Sequence, residues 1–215
     1  MQVVISAATR GEWEQAATFF LGQSNEGHSI DFHEAGVGVL STTFSTMQLI
    51  QSVKPDCIIQ VGIAGTFEGG PALGEVVVVE ADCLGDLGVM ESNGWKTTAD
   101  LGFGNHTELK LINPYTDQLN LLQLPKVHAV TVNQITTSEQ QAQLYRDKFS
   151  AQIETMEGAA LHYVCKQLSI PFIQIRAISN MVGERDKSKW LLAESMRNLN
   201  ETLQKYVPLL LQKKN

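Results

Sequence analysis

Arg176-Ala177-Ile178-Ser179-Asn180-Met181-Val182-Gly183-Glu184-Arg185-Asp186 closes an apolar run that begins at Pro171. Within a few residues it passes from strand-forming side chains to an amide, a glycine turn and an Arg-Asp pair. A buried strand that stops so abruptly leaves its last polar groups at a sheet end, where ligands of open α/β sheets collect. Upstream, Glu154-Thr155-Met156-Glu157-Gly158-Ala159-Ala160 makes the same change from strand to small-residue helix and leaves a carboxylate at the junction.

Outward from these two junctions, short apolar runs alternate with segments of helical period, which predicts a sheet with helices on both faces. Strands are expected at Val3 to Ala7, Ser29 to Glu34, Asp56 to Val61, Glu75 to Ala81, Lys126 to Asn133, Gln152 to Met156 and Pro171 to Ser179. Trp13, Ala16, Ala17, Phe20 and Leu21 mark one helix. After the Gly36-Val37-Gly38 turn, a second presents Leu40, Phe44, Met47 and Ile50 on one apolar face. Ser138-Glu139-Gln140-Gln141 fits a helix-capping box, Ala159 to Leu168 is helical, and a terminal helix runs from Lys189 to about Tyr206, where Pro208 ends or kinks it. Gly62 to Gly70 reads as a glycine-rich loop and a candidate ligand wall. Periodicity is lost from Asp82 to Asn113, a stretch long enough to suggest a functional loop.

A chain of 215 residues suffices for one α/β domain over 1–215, and no biased linker divides it. The net charge of −7, spread along the sequence, argues against a nucleic-acid or anionic membrane surface, and Lys213-Lys214 is too small a basic cluster to change that. Cys57, Cys83 and Cys165 read as reduced core thiols, and no run approaches the roughly 20 apolar residues of a membrane span, so a cytoplasmic protein is expected. His28, His33, His106, His128 and His162 are too dispersed for a metal site.

The candidate chemistry lies just past the strand ends. Glu157, at a strand-to-helix junction, can accept two vicinal hydroxyls while helix amides keep it ionised; alternatively it is an early-turn carboxylate favoured by the helix dipole. Glu12 can orient a water, with Glu14 as its competitor. Asn180 offers a donor and an acceptor together.

Taken in order, Glu12, Met156-Glu157 and Ser179-Asn180 resemble the purine nucleoside phosphorylase and nucleosidase superfamily over nearly the whole chain. Within it, Arg-Ala-Ile-Ser-Asn-x-Val-Gly-x-Arg-Asp and Leu84-Gly85-Asp86-Leu87-Gly88-Val89 are similar to the futalosine hydrolases of an alternative menaquinone pathway. The resemblance implies a three-layer α/β/α sandwich on a central mixed, largely buried sheet. It implies a nucleoside substrate, no cofactor, and a homo-oligomer with a dimer favoured. In it Met156 packs on the ribose, Glu157 binds the ribose hydroxyls, and Glu12 activates water. Gly62 and Ile63 approach the sugar, Phe67 packs on the ligand, and Arg185, Asp186 and Trp190 either contact substrate or shape the loop. Relatives that cleave adenine nucleosides carry Asp where this chain has Asn180, which fits a 6-oxopurine better. Gln60 stands where phosphorylases place a phosphate-binding arginine, so water is the expected nucleophile. Leu40-Ser41-Thr42-Thr43 departs from the usual Asn-Ala-Ala.

Overall fold

A computed structural model describes residues 1–21, 27–92, 94–103 and 110–213. His106 and Lys214 lie outside them. In chain order the elements are β1 (Gln2–Ala7), α1 (Glu14–Phe20), β2 (Ser29–Glu34), α2 (Val39–Val53), β3 (Cys57–Thr66) and β4 (Val76–Asp82). They continue as β5 (Gly88–Glu91), β6 (Gly94–Thr97), β7 (Leu111–Ile112), α3 (Thr116–Leu119), β8 (Lys126–Thr131) and α4 (Glu139–Phe149). The last are β9 (Ile153–Thr155), α5 (Gly158–Leu168), β10 (Phe172–Met181) and α6 (Leu192–Gln212).

The central sheet is mixed and runs β10-β4-β8-β9-β3-β1-β2, and because β10 also pairs with β3, five of its strands close on themselves. Helices cover both faces, as the alternation predicts. Val3, Ile5, Ile59, Ile173 and Ile175 pack against Leu199, Leu203 and Tyr206 of α6 on one side. Val4, Ile58 and Phe172 pack against Leu49, Leu161 and Val164 of α2 and α5 on the other. These strands carry apolar residues at successive positions because both of their faces are buried.

Several expectations change. The glycine run after Val61 is not a loop in its first half: β3 continues to Thr66, held by β10 on one edge and β9 on the other. Pairing on both edges overrides the low strand propensity of glycine. β8 in turn stops at Thr131 rather than at Asn133. Within Asp82 to Asn113, β5 and β6 form a two-stranded ladder and β7 returns to pair with β4. Pro208 does not end the terminal helix, which runs to Gln212. Leu203, Val207 and Leu210 are buried on its core face and the Tyr206 hydroxyl donates to the Leu119 carbonyl at 2.8 Å, so tertiary packing offsets the lost backbone bond. That helix begins at Leu192 rather than Lys189, because Lys187–Lys189 form a 3-10 turn capped by the Asp186 carboxylate.

The face assigned to α2 is also different. Ile50 is buried, but Leu40 is 85% and Phe44 64% exposed, while Thr42 and Thr46 turn inward. Thr42 satisfies its hydroxyl on the Gly36 carbonyl, which is how a polar residue can occupy that packed position.

Candidate active site

A cavity of about 560 Å³ opens over the carboxyl ends of β1, β3, β9 and β10. Glu12, Ile63, Met156, Glu157, Asn180 and Trp190 all line it.

Glu12 closes a 3-10 turn, Arg10–Glu12, and is buried. Its Oε2 accepts from the Thr9 backbone N–H at 2.9 Å and from the Thr9 hydroxyl at 3.2 Å, and its Oε1 accepts from the Ile63 N–H at 3.3 Å. Asn200 of α6 pins the turn by donating to the Glu12 carbonyl and accepting from Ala16 N–H. Burial raises the carboxyl above its ordinary range, and the like charge of Glu157 adds to this; Arg176 and the two amides oppose it. Glu14 is exposed and pairs with Arg10 at 3.0 Å, so of the two acids Glu12 faces the cavity.

Glu157 is the N-cap residue of α5 and is buried. Gly38, in the left-handed region at φ 88, sends its N–H to Glu157 Oε1 at 3.2 Å. Arg176 Nη1 lies 3.6 Å from the other oxygen. Arg176 itself is almost wholly buried in β10, with Nη2 donating to Gln60 Oε1 at 3.0 Å. Two carboxylates thus share one guanidinium, and such a group can stay buried only when paired.

Gly62 does not line the cavity but makes this cluster fit. A Cβ there would sit 2.2 Å from Arg176 Nη1 and 2.8 Å from Glu12 Oε1, so the arginine and the acid occupy the space a side chain would take.

Below this cluster Asp82 is fully buried. Its Oδ1 accepts from Thr131 Oγ1 and from Cys83 N–H, each at 2.8 Å. Thr131 Oγ1 in turn accepts from the Ala159 N–H at 2.8 Å. The first turn of α5, and with it Glu157, is therefore anchored to the sheet by hydrogen bonds as well as by packing.

Asn180 reaches the cavity through a β-bulge. Ile178 pairs with Ala64 and Asn180 with Gly65, so Ser179 is an extra residue in β10. Because strand side chains alternate, the insertion turns Asn180 onto the face where Ser179 would otherwise point. Asn180 Nδ2 donates to the Met181 carbonyl at 2.9 Å and Oδ1 accepts from Ser179 Oγ at 2.7 Å. One amide N–H and one lone pair remain for a ligand.

Not every candidate converges. Phe67 is in a core cluster with Cys83, Val130 and Tyr145, so its expected contact with a ligand is replaced by packing beneath the site. Asp186 is exposed and caps the 3-10 turn through Ser188 N–H rather than pairing with Arg185. Arg185 instead lies over the Trp190 ring, 5.8 Å from its centroid, and both residues line the cavity rim. Asp86 accepts from the backbone N–H of Asn133 and orders the chain after β8. Arg176 and Glu154, quoted in the sequence without a role, both prove to lie at the site. The available signal was chemical: Glu154 and Arg176 each interrupt an apolar strand, where an ionisable residue needs a partner or a ligand.

The geometry supplies a carboxylate that can hold a water, a second carboxylate beside a guanidinium that can hold a diol, and an amide across a glycine floor that can meet a flat heterocycle. The model of the phosphorylase superfamily matches residues 8–211, and the chain belongs to that superfamily. It is 28% identical over 186 residues to futalosine hydrolase of Streptomyces coelicolor, covering 84% of this chain and 79% of that protein. It is 28% identical over 171 residues to the 5'-methylthioadenosine/S-adenosylhomocysteine nucleosidase of Tolumonas auensis, covering 75% and 73%. Among solved structures it shares its fold with an MTA/SAH nucleosidase at a TM-score of 0.79 and 21% identity, over 99% of this chain and 96% of that one.

Proposed function

We propose that the chain is an N-ribosyl hydrolase that acts on futalosine, releasing hypoxanthine and dehypoxanthine futalosine in menaquinone biosynthesis. Nucleosidase chemistry is supported by both groups of curated relatives. Asn180, where adenine-specific relatives carry an acid, is the single observation that carries the choice of base.

In this reading Glu157 accepts from the two ribose hydroxyls, and Arg176 and the Gly38 N–H keep it ionised and oriented. Met156 lies against the sugar. Glu12 holds a water by one oxygen and takes its proton as the water oxygen bonds to the anomeric carbon. The bond from that carbon to N9 breaks, and its electron pair passes into the purine. Asn180 steadies the leaving ring by donating to the 6-oxo group and accepting from N7–H, whose proton comes from solvent. Phosphate is a poor competitor for water here, because its negative charge would meet both Glu12 and Glu157 with Arg176 already engaged.

A second hollow of about 330 Å³, lined by Leu87, Phe103, Ala159, Ala160 and Tyr163, also borders the start of α5. Leu40 and Phe44, next along α2 to the Val39 and Thr43 that also line this hollow, are exposed apolar residues. In this proposal a second copy of the chain covers that face, giving a homodimer.

The test is a product assay on futalosine, inosine and 5'-methylthioadenosine side by side, with and without phosphate. Hypoxanthine is expected from futalosine at a rate that phosphate does not change. Preferred cleavage of 5'-methylthioadenosine, or a requirement for phosphate, would overturn the reading.

A further inference from the structure

Glu154 of β9 has no part in the chemistry above, yet it lines the same cavity. It pairs with Gly65 of β3, and Gly65 pairs on its other edge with Asn180 of β10. The three residues form one row across three strands, and residues in register share a face. Two strand spacings put the backbones of Glu154 and Asn180 roughly 10 Å apart, with a residue lacking a side chain between them. A Cβ on Gly65 would meet Asn180 Nδ2 at 3.4 Å and Val182 Cγ2 at 3.0 Å, so the floor between the acid and the amide must stay bare.

Glu154 is only 7% exposed. Its Oε1 accepts from Thr136 N–H at 3.0 Å, while Oε2 has no hydrogen-bond partner among the described residues. Burial and the charge of Asp86 raise its carboxyl and Thr136 lowers it, and an N–H donor arriving at Oε2 would add to the side that favours the carboxylate. A buried carboxyl oxygen without a donor is costly unless a ligand supplies one.

Purines differ at this edge. N1 of adenine is an acceptor, whereas N1 of a 6-oxopurine carries a hydrogen. A carboxylate can only accept. We infer that Glu154 is a specificity-determining residue that accepts the N1–H of a 6-oxopurine whose opposite, imidazole edge meets Asn180. The inference rests on the proposed reading of the site, with the base lying over Gly65. The acid thereby rejects adenine, whose N1 lone pair would face the carboxylate.

Glu154→Gln separates this from a structural role. The amide oxygen can still accept from Thr136 N–H, but the other end now presents a donor to position 1. For the purified full chain, kcat/KM for futalosine is expected to fall about ten- to a hundredfold and that for its 6-amino analogue to rise, at an unchanged melting temperature. A second measurement needs no variant: calorimetric binding of hypoxanthine, 1-methylhypoxanthine and adenine to the wild-type protein. Hypoxanthine is expected to bind and the other two to fail. A Glu154→Gln protein that keeps the wild-type preference, or equal binding of hypoxanthine and 1-methylhypoxanthine, overturns the inference while futalosine hydrolysis by the wild type leaves the proposed function standing. A wild-type preference for the 6-amino substrate overturns both.

Discussion

The two hollows bordering the first turn of α5 are made of opposite materials. On one side Glu12, Glu157 and Arg176 crowd three formal charges into a largely water-excluded corner, each tied by hydrogen bonds to backbone or side chain. On the other, Leu87, Phe103 and Tyr163 surround a space with few polar groups, and their neighbours Leu40 and Phe44 stand in solvent. The first is a region where position is fixed by electrostatics and one misplaced atom matters. The second gains only by being covered, and its energy is a matter of area.

Four substitutions probe that contrast. The largest effect is expected for Glu12→Gln, which keeps the shape of the charged corner and removes its base: kcat should drop by about a thousandfold, with the oligomer unchanged by sedimentation. Asn180→Ala should lower kcat about a hundredfold through loss of leaving-group stabilisation, while chemical denaturation shows a far smaller change in stability. If turnover survived that truncation, the amide would be a strand-end cap and the charged corner would be working without it.

Asp82, under the same corner, offers a test by pH. Burial raises its carboxyl from 3.8 to about 7 and lowers the His162 imidazole from 6.5 to about 4. Between those values the folded Asp82 keeps a proton that the unfolded chain has lost, so its contribution falls as pH rises; the folded His162 lacks a proton that the unfolded chain holds, so its contribution grows. The two slopes oppose one another from about pH 4 to 6.5, so the contributions of these two groups largely offset there. Asp82→Asn removes its falling slope, so the stability of the variant relative to wild type should rise by roughly 2 to 3 kcal/mol between pH 4.5 and 6.5, read from denaturant midpoints. Parallel curves for the two proteins would show that Asp82 is ionised throughout. The smallest effect belongs to the apolar side: Phe44→Glu should weaken self-association at least about tenfold, seen by ultracentrifugation, and leave the melting temperature of the chain nearly unchanged.

The contrast also marks what could be read in advance. Buried strands such as β1 and β10 announce themselves because a backbone covered on both sides tolerates little but apolar residues, and the polar groups that follow them stand out. Glu12, Met156, Glu157 and Asn180 were found that way, and they meet in one cavity. The apolar face is harder to read, since Leu40 and Phe44 at helical spacing look like core until the inward Thr42 is seen to satisfy its hydroxyl on the Gly36 carbonyl. Gly62 to Thr66 reads as a loop in the sequence because strand pairing on two edges is a long-range property with no local trace. Phe67 sits one residue beyond that strand, where sequence alone offers no means to tell a wall of the site from its foundation.

The surplus residue at Ser179 has an evolutionary corollary. Without the bulge the same sequence would pair Ser179 with Gly65 and carry Asn180 one step on, to the opposite face, exchanging an amide for a hydroxyl at the base without altering any letter of the chain. In a scaffold of this kind, substrate preference can change through the register of a strand end as readily as through replacement of the residue that touches the base.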